Sequence, residues 1–320
     1  MVLSKKIYIS VLASAICLLL FSCKDKKDEL YGISIDASRM VGTPAEVFSI
    51  QHVKMFQASN SFIMEFLPEL NSDSVDFAIA PFYALSSLAM DTNLAAYFSC
   101  YAAYYNLSQH NANETKQAFN SFLTAIQSID SSFNISNSLF VQANDTLNLT
   151  QSLTITLCYE NNFKQEENKI NISGEFLTLE SHDETVCEIP FGNGNFVLDL
   201  LQPKAMSLKE YYNTFNEEHY ATIFKQLENR KINVSFPKLD IAFESLPLNM
   251  PQIPKTDSTG IFNKLLMLTC SFKVENQTQN TASSILQSND SEPIVFERPF
   301  LFLVRGKNSN LIFFIGYCNL

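Results

Sequence analysis

No GxSxG, HExxH, Walker-type, GxGxxG or EF-hand pattern occurs in this chain. The nucleophile elbow, zincin helix, phosphate loop and calcium loop built on those spacings are therefore excluded. Histidine is equally sparse: His52, His110, His182 and His219 are scattered, so no metal-binding cluster can be read from spacing. His182 and Asp183 stand beside Glu180 and Glu184, a grouping that reads as the solvated end of a polar strand. With no catalytic constellation left, the chain is read as a non-enzyme with no metal and no cofactor.

Positive charge is also in deficit. Twenty-two Lys and Arg face 33 Asp and Glu, a net charge of −11, which argues against nucleic acid as a partner. Beyond Cys23 the cysteines are Cys100, Cys158, Cys187, Cys270 and Cys318. Their number is odd and none lies in a CxxC, which favours buried apolar thiols over a disulfide framework.

What the chain does have begins at its N-terminus. Lys5 and Lys6 precede an apolar run from Ile7 to Phe21, followed by Ser22 and Cys23. The run is shorter than the roughly 20 residues a spanning helix needs, so residues 1–22 read as an export signal. Leu20-Phe21-Ser22-Cys23 resembles the bacterial lipobox, in which the cysteine becomes the lipidated first residue. Cys23 is thus the expected lipid anchor, placing the protein in the cell envelope, on the outer membrane or cell surface. Residues 23–48 form the expected tether, starting with the charged stretch 24–29 that cannot join a core. Removing residues 1–22 takes away Lys5 and Lys6 and no acid, which lowers the net charge to about −13.

The folded domain is expected over 49–320, with 46% apolar residues to build a core. Val53, Phe56, Phe62, Ile63, Phe66, Leu67 and Leu70 recur at helical steps. A short strand opens at Phe77 and turns at Pro81 into a helix ending near Met90. Helices are expected over 93–107, 114–129 and 207–228, and strands over 135–141, 232–241 and 264–274. Residues 147–163 remain ambiguous, because Thr and Ile favour a strand while the length favours a helix. Residues 175–201 read as a strand meander with a hairpin at Gly192-Asn193-Gly194. After 264–274 comes a polar segment free of Gly and Pro, long enough to require a functional reason. The chain then ends on two intensely apolar blocks, 299–304 and 311–317.

That ending resembles a known family. Phe296, Pro299-Phe300-Leu301-Phe302-Leu303-Val304-Arg305 and Ile312-Phe313-Phe314-Ile315-Gly316 are similar to the C-terminal signature of the serpins. Asn233 to Leu239, Ile189 to Pro203, Ile135 to Val141 and Ala80 to Met90 resemble further serpin segments, in the family's order. The resemblance implies an α+β fold: helices packed on a large mixed central sheet, smaller sheets, and a buried C-terminal β-hairpin. It also implies a bait loop over 276–295 offered to a serine or cysteine peptidase. Glu275, Gln277, Thr278 and Ala282 match its hinge, and the scissile bond falls among Ser288, Asn289, Asp290 and Ser291. In the family's inhibitory members the cleaved loop inserts into the sheet and carries the acylated peptidase with it.

The sequence departs from the family in three places. Gln277 stands where the hinge has Gly, and Gln279 and Asn280 interrupt its run of small residues. Between Phe163 and Asn171 no counterpart is found of the long segment holding the strand beside which the loop inserts. The places of the family's buried polar cluster carry Ala80, Tyr83 and Met267. These departures predict handicapped insertion and no covalent complex. A non-inhibitory binding module at the cell surface is the alternative reading.

Overall fold

The computed structural model describes residues 57–64, 67–69, 76–81, 133–141, 147–157, 163–165, 168–191, 194, 196–248, 266–276, 292–297, 299–307 and 310–319. The chain divides into units 1–34 and 35–320, and all described residues fall in the second. The helices expected over 93–107 and 114–129 lie outside them, as do the lipobox and tether.

Residues 57–64 are helical and Leu67–Glu69 form a 3-10 turn. The strands are β1 (Phe77–Ile79), β2 (Phe133–Val141), β3 (Leu147–Leu157), β4 (Phe163–Gln165), β5 (Lys169–Glu180), β6 (Glu184–Phe191), β7 (Phe196–Pro203), β8 (Glu228–Pro237), β9 (Asp240–Leu248), β10 (Leu266–Asn276), β11 (Ile294–Val295), β12 (Phe300–Gly306) and β13 (Ile312–Cys318). Helices α1 (Leu208–Thr214) and α2 (Glu217–Gln226) separate β7 from β8.

Two sheets result. The larger runs β1-β13-β12-β7-β6-β5-β8-β11 with β4 beside β5, and the smaller runs β2-β3-β10-β9. The expected fold class is present, an α+β serpin-like arrangement with a hairpin, β12–β13, whose strand residues are all buried. The sheets meet through aromatic rings. Phe272 on β10 stacks on Phe302 and Phe314 of the hairpin at centroid distances of 4.7 and 5.3 Å. Such pairs contribute about 0.5–1.5 kcal/mol each beyond area burial. The hairpin is this apolar because it packs against the small sheet through these rings.

Local chemistry sets the breaks. Gly194, at φ 85°, occupies the left-handed region and its N–H donates to the Phe191 carbonyl at 3.1 Å, closing the β6–β7 turn. The helix expected over 207–228 is two helices. Ser207 and Glu210 form a capping box on α1, and Asn216 caps α2 by accepting from the His219 N–H. The strand expected over 232–241 is also two, because the chain leaves β8 at Pro237 and enters the other sheet at Asp240. The meander begins earlier than expected, at Lys169. His182 and Asp183 occupy the exposed β5–β6 turn, not a strand.

One charged cluster is buried in the large sheet. Arg305 donates through Nε to Asp199 at 2.6 Å, through Nη2 to Glu188, and through Nη1 to the Asn310 side chain at 2.9 Å. Its guanidinium also lies 4.2 Å from the centroid of the Phe224 ring on α2. Asp199 and Glu188 are cross-strand neighbours on β7 and β6, so two carboxylates share one cation. Burial, with Arg305 opposing and Glu188 reinforcing, pushes the Asp199 carboxyl up to about 7. Asn310, at φ 52°, is held in turn by Asn60, whose amide donates to the Asn310 carbonyl and accepts from the Ile312 N–H.

Candidate functional site

The site is the junction where β10 leaves the small sheet. On one side β10 pairs with β9 in antiparallel fashion, on the other with β3 in parallel. The parallel pairing is unbroken from Leu266↔Leu147 to Asn276↔Leu157. Ser271 Oγ donates to Ser152 Oγ across the seam at 3.0 Å. Both edges of β10 are therefore occupied, and a strand returning along it must first part β3 or β9.

β3 corrects the sequence reading. The sequence shows no strand between Phe163 and Asn171 to stand beside β10; the strand that does so is β3, upstream at Leu147–Leu157. Its Thr, Ile and Leu alternation fits a helix of similar length as well as a strand, so the sequence alone does not mark it. Only residues 142–146 join β2 to β3.

Gln151, at the middle of β3 and 1% exposed, is the residue that sequence reasoning missed. Its Oε1 accepts from the Ala80 N–H at 2.8 Å and its Nε2 donates to the Ala80 carbonyl at 2.9 Å. Ala80 follows β1, so this one amide ties the small sheet to the edge of the large one. Without it, two buried backbone groups of Ala80 would lack these partners. The signal was a lone Gln inside an uncharged β-branched run.

Glu275 lies inside β10, paired with Thr156, and its carboxylate forms an ion pair with Lys273. The Glu275 hydrogen bond and charge raise the Lys273 ammonium above its ordinary range. Asn276 still belongs to β10, and Ile294 and Val295 form β11, parallel to β8. The strands thus narrow the expected loop of 276–295 to 277–293, of which Glu292 and Pro293 are described and exposed. Gln277, Thr278, Ala282, Ser288, Asn289, Asp290 and Ser291 lie outside the described residues, as does Cys23.

Burial alternates along β10. Phe272 and Val274 are buried, whereas Ser271, Lys273 and Glu275 are half-buried.

A family model described as "Serpin (serine protease inhibitor)" matches residues 161–319, from β4 through the hairpin. The fold also superposes on the crystal structure of native protease nexin-1 with heparin. The TM-score is 0.58 at 12% identity, with 84% of this chain and 99% of that chain covered. The chain belongs to the serpin family. A stretch of 90 residues is 32% identical to stress-induced protein 1 of Caenorhabditis elegans, covering 28% of this serpin and 56% of that protein's length. That stretch is too short to carry a function across. Family membership gives the chain a protease-inhibitor-like fold, in which β10 lies in the small sheet and the hairpin packed against it is β12–β13.

Proposed function

We propose that this serpin holds residues 277–293 out as bait for a serine or cysteine peptidase, and that the cleaved loop enters the seam between β3 and β10. The observation that carries this reading is the parallel pairing of β3 with β10, the strand that runs directly into the loop. A loop folding back from Asn276 runs antiparallel to both strands. Insertion therefore exchanges one parallel ladder for two antiparallel ones, which are the more stable per residue.

Magnitudes weigh against the hinge as a veto. On the parity of β10, Asn280 is the poorest fit among the residues turned inward. Burying its amide without partners costs about 1–3 kcal/mol. Gln277 and Gln279, on the other parity, keep their amides in water. A cut among Ser288, Asn289, Asp290 and Ser291 frees a segment about as long as the 11-residue β10, enough to pair along most of it.

The same reading places the protein at the cell envelope, held by lipid on Cys23, with the peptidase unidentified. Limited proteolysis of the folded protein tests the bait. First cuts within 277–293 support it, whereas first cuts in β5, β6 or β7 would show that another segment is offered.

A further inference from the structure

Pro293, Val295 and Glu297 are exposed while Ile294 and Phe296 between them are buried, so the chain through β11 turns one side outward. Val295, at 39% exposure, is one of two large apolar side chains left open to solvent among the described residues. A lone exposed valine is ordinary on a protein surface. Here the neighbouring strands extend its side of the sheet into a platform.

Register fixes that platform. Val295 pairs with Ser235 of β8, and Ser235 pairs with Asn171 of β5, so the three stand in a row on one face of the large sheet. Ile294, Val234 and Ile172 form the matching row on the other face and are buried. Asn233 and Pro237 flank Ser235 on the outward face, both half-buried, and Lys169 stands opposite Pro237. Lys169 donates to Glu297 at 3.0 Å, tying the chain beyond β11 to β5 across β8. The two charges at this border neutralise each other. At the other border Ser173 Oγ donates to Asn233 Oδ1 at 2.5 Å. The middle of the platform is therefore uncharged, and its side chains stand on paired strands, where little freedom is left to lose on contact.

Residues 288–291, where the cut is expected, stand 3 to 6 positions before Ile294 but 12 to 15 after Asn276. An extended chain covers at most about 3.6 Å per residue, so the bond lies within roughly 11–22 Å of β11. A domain of about 220 residues is roughly 40 Å across. A peptidase holding that bond in its cleft is wider than the connection to β11, and its flank comes against the sheet beside it.

We propose that the face formed by Val295, Ser235 and Asn171, bordered by Lys169 and Glu297, is the surface on which the body of the peptidase rests while its cleft holds the bait. Docking there presupposes that 277–293 is the bait. The flank it fits is uncharged, because neither sign of charge finds a free counter-ion in the middle of the platform.

Subtilisin, a serine peptidase of broad specificity, and papain, a cysteine peptidase, are the probes, and the second-order rate constant of the first cut in the full chain is measured. Asn171→Asp and Asn171→Lys should each lower it at least about fivefold for at least one probe, since an unpaired charge in a docked interface is costly whatever its sign. Long-range steering by a chain of net charge −11 would instead move the two variants in opposite directions. Val295→Asp should slow cleavage of the folded protein more than cleavage of a synthetic peptide of residues 284–297. Hydroxyl-radical footprinting of wild type needs no variant: subtilisin with its catalytic serine changed to alanine should shield Val295 and leave Met206 labelled. Cuts within 277–293 at rates that both Asn171 variants leave unchanged, opposite shifts for the two, equal slowing of protein and peptide, or an unshielded Val295 overturn the docking surface and leave the bait standing. No cut within 277–293 by either probe overturns both.

Discussion

The side-chain amide of Gln151 closes both halves of the Ala80 peptide unit, donating to its carbonyl at 2.9 Å and accepting from its N–H at 2.8 Å. The proposed insertion would part β3 from β10 and so would load this pair. Gln151→Leu keeps the volume but strands both Ala80 groups, at about 1–3 kcal/mol each. Urea unfolding should show a loss of roughly 2–5 kcal/mol for this variant. A loss under about 0.5 kcal/mol, the scale of an ordinary surface change, would mean that Gln151 ties nothing together.

The buried cluster at Arg305 gives the fold a pH dependence of unusual sign. Asp199 holds its proton up to about 7 in the folded state, against an ordinary value of 3.8. Between those values the folded chain binds a proton that the unfolded chain has released, so this group's contribution to stability falls as pH rises, by at most about 1.4 kcal/mol per unit. Above about 7 the contribution levels off. Wild type should therefore lose more stability than Asp199→Asn between pH 5 and 8, by a few kcal/mol. Parallel stability curves for the two proteins would show that Asp199 stays ionised beside Arg305.

The proposed lipid on Cys23 makes membrane attachment testable. Wild type should partition into the detergent phase, and Cys23→Ala should leave the protein soluble. A wild type that is soluble in the periplasm would remove the anchor.

Much of this architecture was legible because it rests on short-range signals. Val-Leu-Asp-Leu-Leu and Phe-Leu-Phe-Leu-Val read as buried strands on composition alone, and the residues of β7 and β12 are buried throughout. The β6–β7 hairpin was announced by Gly194. What failed was long-range or depended on one residue. Pro237 and Asp240 assign β8 and β9 to different sheets, yet their sequence reads as a single run. The parallel partner of β10 lies more than a hundred residues upstream, and nothing local marks Leu147–Leu157 as that partner. Gln151 could be seen as out of place, but not as bound to Ala80. The Arg305 cluster was hidden for a similar reason, since Asp199 and Glu188 become neighbours only when β6 and β7 pair.

β3, lying parallel beside β10, supplies the seam that a cut loop would enter. With β3 in place, incubation with a panel of serine and cysteine peptidases should cut within 277–293. The cleaved protein's Tm should then rise by more than roughly 20 °C, well beyond what one or two contacts supply. At least one peptidase should remain attached in an adduct stable to SDS. Cleavage in that segment with an unchanged Tm and no adduct would contradict insertion at the β3–β10 seam and leave a serpin that binds without trapping.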